Sequence, residues 1–238
     1  MTFDPRFALD VLLPINTAAY QLSWNQTIKL PGGWEQVATI TVDPSVISQQ
    51  TASGLAKIAI SENCDWGIAA RKDDVAVIAI RGTETPQQWL EDFDALATPV
   101  AHGGWWTHHG FEEVYLTIRS SLGAAYQSVS GAATIHVTGH SLGAAVALLA
   151  AVDHANPNAW TFAGPRVFAA GARFDCFRIV NHWDIVPNVP VPPVYEHVGT
   201  PINVDGGFTL DPAVAHSLDQ SYAPGLKKLI GSAAVSTG

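Results

Sequence analysis

Short apolar runs along this chain alternate between the strand period and the helix period. Residues 66–70 and 75–80 are apolar on either side of a polar turn, which predicts a hairpin whose second strand is buried on both faces. Further strands are predicted at residues 134–138, 160–163 and 177–181, with a weak edge strand at 37–42 and a short strand at 194–198. Helices are predicted at residues 4–24 with a break at Pro14, at 86–96, 111–129 and 144–151, and at 213–230 with an interruption at Pro224-Gly225.

This order of elements predicts an α/β fold, with a single domain over residues 1–238 and a mostly parallel central sheet that has helices on both faces. The chain is 47% hydrophobic and only 14% charged, so it either buries nearly everything or keeps an apolar surface for an apolar partner. Its formal charge of −9, without a basic run, argues against nucleic acid and anionic membranes as primary partners. The sequence shows no signal peptide and no run of 18 apolar residues, so we expect no transmembrane segment and leave the compartment open.

One pentapeptide, G-H-S-L-G at residues 139–143, joins a β-branched strand to an Ala- and Leu-rich helix. This is the setting of a nucleophile elbow, in which the serine has a strained backbone and a hydroxyl that a substrate can reach. A Cβ at either flanking position would crowd the strand or the helix, so both flanks are Gly. The motif predicts Ser141 as a nucleophile, with the Leu142 N–H aimed at the oxygen that becomes negative during attack.

A serine nucleophile needs a base that takes its proton and an acid that orients the base, in the chain order Ser, acid, His on this kind of sheet. Asp184 alone among the downstream acidic residues follows directly on an apolar strand, which favours it over a turn aspartate that caps its own backbone. His216 follows the last predicted strand at a helix entrance and is the predicted base. The other downstream histidines are less suitable. His154 lies at the far end of the nucleophile helix, His182 is too near Asp184 in the chain, and His197 lies in a predicted strand.

A second oxyanion donor is expected where the strand at residues 75–80 ends in Arg81-Gly82-Thr83. Thr83 can offer both its N–H and its hydroxyl group. The loss of one such donor costs about 10²–10³ in turnover.

The helix predicted at residues 86–96 is amphipathic, with Trp89, Leu90 and Phe93 on a face opposite acidic residues. It is either an ordinary surface helix or a lid over about residues 84–97 that exposes its apolar face to substrate at an oil–water interface. Its position just after Thr83 raises the weight of the lid interpretation.

Residues 101–110 are rich in Gly, His and Trp and are predicted to form a loop. Its three histidines suggest a metal site, but no Cys or carboxylate is interleaved at ligand spacing and the adjacent His108 and His109 point apart, so none is predicted. In the helix that follows, Glu112 and Glu113 are expected to be solvated. The two cysteines, Cys64 and Cys176, leave their pairing open.

Six motifs in order along residues 55–222 resemble those of the class 3 lipases, the fungal-type triacylglycerol lipases of the α/β-hydrolase fold. They are Ile80-Arg81-Gly82-Thr83, His109-Gly110-Phe111, Gly139-His140-Ser141-Leu142-Gly143, Phe162-Ala163-Gly164-Pro165-Arg166-Val167, Asn181-His182-Trp183-Asp184-Ile185-Val186-Pro187 and Ala215-His216-Ser217. The resemblance implies the same nucleophile, acid and base, with Thr83 and Leu142 as the oxyanion pair and a lid just after Thr83. Members of the family are often secreted.

The sequence therefore predicts a serine carboxylic ester hydrolase that acts through an acyl-enzyme without a metal or cofactor, and most specifically a triacylglycerol lipase. One alternative keeps the mechanism but changes the substrate to short-chain or feruloyl esters. A second alternative is a non-catalytic binding protein with a hydrolase fold. The expected partner is a lipid or another apolar ester.

Overall fold

The computed structural model describes residues 2–48, 52–62, 65–84 and 99–235, with side chains up to residue 232. The described residues form strands β1 (Glu35–Thr41), β2 (Asp65–Lys72), β3 (Val75–Ile80), β4 (Pro99–His102), β5 (Trp105–His108), β6 (Thr134–His140), β7 (Ala159–Phe162), β8 (Phe168–Ala169), β9 (Cys176–Asn181), β10 (Tyr195–Glu196) and β11 (Thr200–Val204). The α-helices in the same ranges are α1 (Pro5–Phe7), α2 (Leu13–Ser23), α3 (Gly54–Glu62), α4 (His109–Ser128), α5 (Leu142–Asp153), α6 (Pro212–His216) and α7 (Ala223–Val235). Beyond Glu84, the lid prediction with Trp89, Leu90 and Phe93 lies outside the described residues, as does Cys64.

The main sheet has seven strands in the order β1-β2-β3-β6-β7-β9-β11. The first three strands are antiparallel, and β3, β6, β7, β9 and β11 run parallel to one another. This confirms the predicted hairpin, the edge strand and the mostly parallel sheet. The parallel part brings the carboxyl ends of several strands to one edge, where the predicted site residues follow in loops.

Helices cover both faces of the main sheet, as predicted. In β3, Ala76, Ile78 and Ile80 pack into the cluster that contains α4 and α5, whereas Val77 and Ala79 pack into the cluster that contains α2. Successive side chains of a strand point to opposite faces, so a uniformly apolar strand fills two cores at once. Within the described ranges no helix combines the length and the apolar character that a membrane crossing requires.

Two prolines were expected to interrupt helices, and the structure accommodates both of them inside helical segments. A π-helical segment, Ala8–Leu12, leads into α2, and Pro14 lies in the first turn of that helix, where no backbone N–H is required. A second π-helical segment, Leu218–Tyr222, leads into α7 in the same way, so the interruption predicted at Pro224 is wrong. The helical path breaks instead at Ser217, whose backbone is extended.

The loop predicted at residues 101–110 is also wrong, because β4 and β5 form a hairpin there and α4 begins at His109. The turn consists of Gly103 and Gly104, whose φ angles of 53° and 87° are the left-handed values that a two-residue hairpin turn requires. The hairpin belongs to a four-stranded antiparallel sheet in the order β10-β8-β5-β4. A Gly-Gly pair between short strands was the signal for this turn.

The segment after residue 190 contains two strands, where one was predicted. Tyr195 and Glu196 join the four-stranded sheet, and β11 adds a parallel edge strand to the main sheet beside β9. Pro201 and Asn203 give β11 a low strand propensity, but an edge position tolerates a proline because one side of the strand makes no ladder.

Candidate active site

Ser141 lies between the end of β6 and the start of α5 in a strained backbone conformation. Its φ and ψ angles are 59° and −128°, a region that non-glycine residues rarely adopt. A Cβ on Gly139 would overlap the backbone oxygen of Gly143, and one on Gly143 would overlap the backbone oxygen of Ile80. Both contacts are with backbone atoms, which confirms the predicted steric need for glycine on either side of the serine.

His216 and Asp184 come together from positions 32 residues apart in the chain. His216 Nδ1 lies 2.9 Å from Asp184 Oδ2, and both side chains are buried. Asp184 also accepts hydrogen bonds from the Tyr222 hydroxyl at 2.7 Å and from the Val186 N–H at 3.0 Å. A carboxylate oxygen accepts hydrogen bonds, so His216 donates to Asp184 from Nδ1, and its Nε2 is the ring nitrogen left for another partner.

Ser141 Oγ and His216 Nε2 are both buried and have no hydrogen-bond partner among the described residues. Ser141 and His216 are linked through His140, which directly precedes Ser141. The ring centroid of His140 lies 4.5 Å from that of His216. Buried polar side-chain atoms usually have partners, and unpartnered ones in a native fold require an explanation such as a catalytic role.

The loop after β3 contacts the serine turn directly. A Cβ on Gly82 would lie 2.8 Å from Ser141 Cβ and 2.9 Å from the His140 oxygen, so only glycine allows this approach. Thr83 is buried in the same loop, and its hydroxyl has no partner within the described part of the chain. Leu142 begins α5, and the N–H groups in the first turn of a helix have no intrahelical acceptor.

Several supporting residues were not found from the sequence. Arg81 anchors the loop that contains Thr83, through an ion pair with Glu62 at 2.6 Å and a hydrogen bond to the Gly82 oxygen at 2.6 Å. Asn181 holds the chain next to His216 by donating to the Ala215 oxygen at 2.8 Å. The bond between Arg81 and Gly82 joins neighbours in the chain. The other two contacts join residues that only the fold brings together, so no local sequence pattern predicts them.

A cavity of about 480 Å³ opens at this place. Thr83 and His216 line it, together with apolar side chains of Trp24, Ile185 and Leu218. Acidic residues also line it, and no lysine or arginine does so within the described ranges; the acids are Glu84, Asp184, Asp211 and Asp219. The arrangement could therefore hold an uncharged, largely apolar molecule with a polar group directed at His216.

The other downstream histidines are engaged elsewhere or exposed. His154 stacks on Tyr126 with ring centroids 3.9 Å apart, and His197 Nε2 donates to the Pro187 oxygen at 2.7 Å. Burial lowers the pKa of His197 to about 4, and His182 is exposed.

The histidine-rich hairpin makes contacts of its own. His102 Nδ1 lies 2.7 Å from Glu112, and its Nε2 lies 2.9 Å from the Leu149 oxygen. Glu113 was expected to be solvated but is buried, and it accepts the Ser53 N–H at 2.8 Å. Among the residues that the structure describes, no three His, Cys, Asp or Glu side chains converge as a metal site would require.

Comparison with known proteins finds one family. Residues 77–193 match the model of the family described as Lipase (class 3). This segment of the chain therefore has the sequence pattern of the class 3 lipases. Similar proteins include Phospholipase A1-II 6 of Oryza sativa subsp. japonica, 30% identical over a region covering 60% of this chain and 47% of the relative. Secreted mono- and diacylglycerol lipase 1 of Fusarium solani is 31% identical, with 58% and 46% covered. The chain thus spans about half the length of these relatives.

Solved structures of fungal lipases share the fold. Lip2 lipase from Yarrowia lipolytica superposes with a TM-score of 0.61 at 21% identity, covering 83% of this chain and 78% of that protein. A mutant form of MDLA from Penicillium cyclopium gives a TM-score of 0.59 at 22% identity, covering 86% and 81%. The chain therefore has the α/β-hydrolase fold that the class 3 lipases share.

Proposed function

We propose that this protein is a serine carboxylic ester hydrolase that acts on lipid esters through an acyl-enzyme. One observation carries the proposal: the strained Ser141 directly follows His140, whose ring lies 4.5 Å from that of His216 in the buried His216–Asp184 pair, and Ser141 Oγ and His216 Nε2 are both buried and unpartnered in the described chain. The match of residues 77–193 to the class 3 lipase family model supports the same reaction.

In the first step, Ser141 Oγ attacks the ester carbonyl carbon as its proton passes to His216 Nε2. The tetrahedral intermediate collapses with cleavage of the ester C–O bond, and the same proton goes to the departing alcohol. A water molecule then attacks the acyl-enzyme, His216 takes its proton, and the acid leaves as Ser141 regains its hydrogen. Asp184 keeps the His216 Nδ1–H in place and stabilises the imidazolium that forms in both halves of the reaction.

Charge develops on the carbonyl oxygen during both attacks. We infer that the Leu142 N–H and the Thr83 N–H and hydroxyl bind this oxygen, since Thr83 Oγ1 is buried without a partner among the described residues. The reaction uses side-chain and backbone groups alone and needs no metal or cofactor.

The apolar surroundings of the cavity support a lipid substrate. Trp183, Ile185, Phe208 and Leu210 are exposed, and the rings of Trp183 and Phe208 lie 4.8 Å apart. Of these four residues, Ile185 also lines the cavity, and Trp183 is its near neighbour in the chain. Exposed apolar patches of this kind mark binding surfaces, and a lipid aggregate at an oil–water interface would cover this one. The names of the relatives, a phospholipase A1 and a mono- and diacylglycerol lipase, support the same substrate class.

The test is hydrolysis of p-nitrophenyl esters from short to long acyl chains, alongside a triacylglycerol emulsion. A lipase prefers long chains and gains rate above the substrate's solubility limit, as the lid prediction at residues 84–97 also requires. A short-chain optimum without activity on the emulsion would instead identify the esterase alternative.

The control is the variant Ser141→Ala, which removes only the hydroxyl group of the proposed nucleophile. Loss of a triad nucleophile costs on the order of 10⁶ in kcat. Unchanged ester turnover in this variant would overturn the assignment of Ser141, and an inactive wild type on every ester would favour the non-catalytic alternative.

A further inference from the structure

A buried chain of hydrogen bonds lies at the wall of the cavity and uses two of its lining side chains, Tyr20 and His140, which the proposed reaction itself does not use. The Gly82 N–H donates to the Tyr20 hydroxyl oxygen at 2.8 Å. Tyr20 Oη lies 2.8 Å from His140 Nδ1, and His140 Nε2 lies 2.9 Å from the His216 carbonyl oxygen. Tyr20 and His140 are both buried.

The direction of each bond follows from the chemistry of its ends. The His216 carbonyl only accepts, so His140 carries its hydrogen on Nε2. Burial holds the pKa of His140 well below its usual value, so its imidazole is neutral and Nδ1 is an acceptor. The Tyr20 hydroxyl therefore donates to Nδ1, while its oxygen accepts from the Gly82 N–H. Burial also raises the pKa of Tyr20, which keeps its hydrogen in place.

The chain of bonds joins groups that the reaction must hold at fixed distances from one another. Gly82 precedes Thr83, the inferred oxyanion donor, and His140 precedes the nucleophile Ser141. The far end is the backbone of His216, the inferred base. Three segments that are distant in sequence are thus tied together through one tyrosine on α2 and one histidine at the end of β6.

We propose that Tyr20 and His140 are positioning residues that set the distance between the oxyanion donors and the base. The inference rests on the proposed function. Reacting groups must be held within a fraction of an ångström of their productive geometry, and a misplacement of 1 Å can cost about 10²-fold in rate. The bridge fixes backbone atoms at both ends, so its loss shifts the loops themselves.

A purely structural role predicts a different result, and the chain offers a matched control. One turn before Tyr20 on the same helix, Asn16 Nδ2 donates to Thr138 Oγ1 at 3.0 Å, two residues before His140 on the same strand. This bond joins the same two elements and is equally buried, but it contacts none of the three site segments. The variant Thr138→Val removes it without a large change of shape.

The test compares Tyr20→Phe with Thr138→Val on a soluble p-nitrophenyl ester, together with their melting temperatures. We expect both variants to lose stability, by roughly 2–8 °C, and Tyr20→Phe to lose more, because it leaves the Gly82 N–H and His140 Nδ1 unpaired whereas Asn16 Nδ2 keeps its bond to the Leu12 oxygen. Tyr20→Phe should lower kcat by at least about tenfold with KM within about twofold of wild type, because groups are misplaced and not removed. Thr138→Val should leave kcat within about twofold of wild type.

Two further variants separate positioning from packing. The side-chain amide nitrogen of Gln can reach the place of His140 Nε2, so His140→Gln should retain more kcat than His140→Leu. The double variant Tyr20→Phe/His140→Leu should lose little more kcat than the worse single variant, because both interrupt one chain of bonds.

The proposal is overturned if Tyr20→Phe and Thr138→Val lower kcat equally. It is also overturned if the fold-losses of kcat in Tyr20→Phe and His140→Leu multiply in the double variant. A wild type that hydrolyses no ester would overturn the proposed function first and this inference with it. Active wild type with no difference between the matched variants would overturn this inference alone.

Discussion

The substitution Asp184→Asn replaces a carboxylate by an amide of nearly the same shape. Three donors converge on Asp184: the His216 Nδ1–H, the Tyr222 hydroxyl and the Val186 N–H. A carboxylate accepts all three, whereas an amide has one accepting oxygen and one donating nitrogen. Either orientation of the amide therefore sets its NH₂ group against at least one existing donor.

The positions of the three donors determine which way the amide of the variant is oriented. Val186 N–H is a backbone donor to Oδ1 and cannot be reversed, so the amide oxygen stays there and the NH₂ group takes the place of Oδ2. The Tyr222 hydroxyl can rotate and accept, but His216 must move its hydrogen from Nδ1 to Nε2 in order to accept. That tautomer directs a hydrogen toward Ser141 and cannot take its proton. In triads of this kind the change costs about 10⁴ in kcat, or about 5.5 kcal/mol of transition-state stabilisation.

The assay measures kcat and KM on a soluble p-nitrophenyl ester, together with the free energy of unfolding. Asp153→Asn is the matched control, because Asp153 also accepts a tyrosine hydroxyl, that of Tyr115, and pairs with Arg119 at 3.0 Å. It lies at the far end of α5 from Ser141. We expect the control to lose some stability and to keep its kcat. A fall in kcat of less than tenfold in Asp184→Asn would refute the tautomer argument.

Three further predictions concern the turn, the pH dependence and the cavity. Gly143→Ala should abolish activity and lower the free energy of unfolding by more than about 3 kcal/mol, because the added Cβ would overlap backbone oxygens. Gly123→Ala on α4, where nothing lies within 4 Å of the added Cβ, should instead raise the free energy of unfolding by up to about 1 kcal/mol. Chemical denaturation measures both changes. Burial lowers the pKa of His136 to about 4, so the unfolded state binds the proton more tightly than the folded state, and the stability present above pH 6.5 should be lost as the pH falls toward 4. The variant His136→Asn keeps a hydrogen-bond acceptor for Trp160 and should lose less stability over this pH range. Melting curves recorded across the pH range test this. The variant Glu84→Gln/Asp211→Asn/Asp219→Asn replaces three acidic residues that line the cavity by amides. Without their repulsion, the ratio of the hydrolysis rate of anionic esters to that of neutral esters should rise several-fold and should no longer depend on salt concentration.

The sequence was most informative where one residue type has only one physical use. Uniformly apolar strands must be buried on both faces, and Gly139 and Gly143 allow backbone contacts that no other residue permits. Asp184 and His216 could be chosen from chain order and from their positions after predicted strands. Their separation of 2.9 Å was not readable from the sequence, because it depends on how the last loop folds back over the sheet.

The rest of the site depends on tertiary contacts that have no local pattern. Tyr20 lies on an N-terminal helix whose sequence gives no reason to prefer it over its neighbours, yet it reaches Gly82 and His140. Glu113 has the spacing of a solvated helix face but accepts a buried backbone N–H from Ser53. The π-helical segments before Pro14 and Pro224 were missed for a similar reason, since a register shift of one residue leaves no signature in hydrophobic spacing.

The most direct test of the account is to react the protein with an alkyl fluorophosphonate and to locate the label by intact-mass measurement and peptide mapping. We expect one equivalent of label on Ser141, with fluoride released, and none on the variant Ser141→Ala. Labelling should slow greatly in His216→Ala, because the serine then has no base. A wild type that takes up no label, or one that carries it on another residue, would contradict the role of Ser141 as the nucleophile.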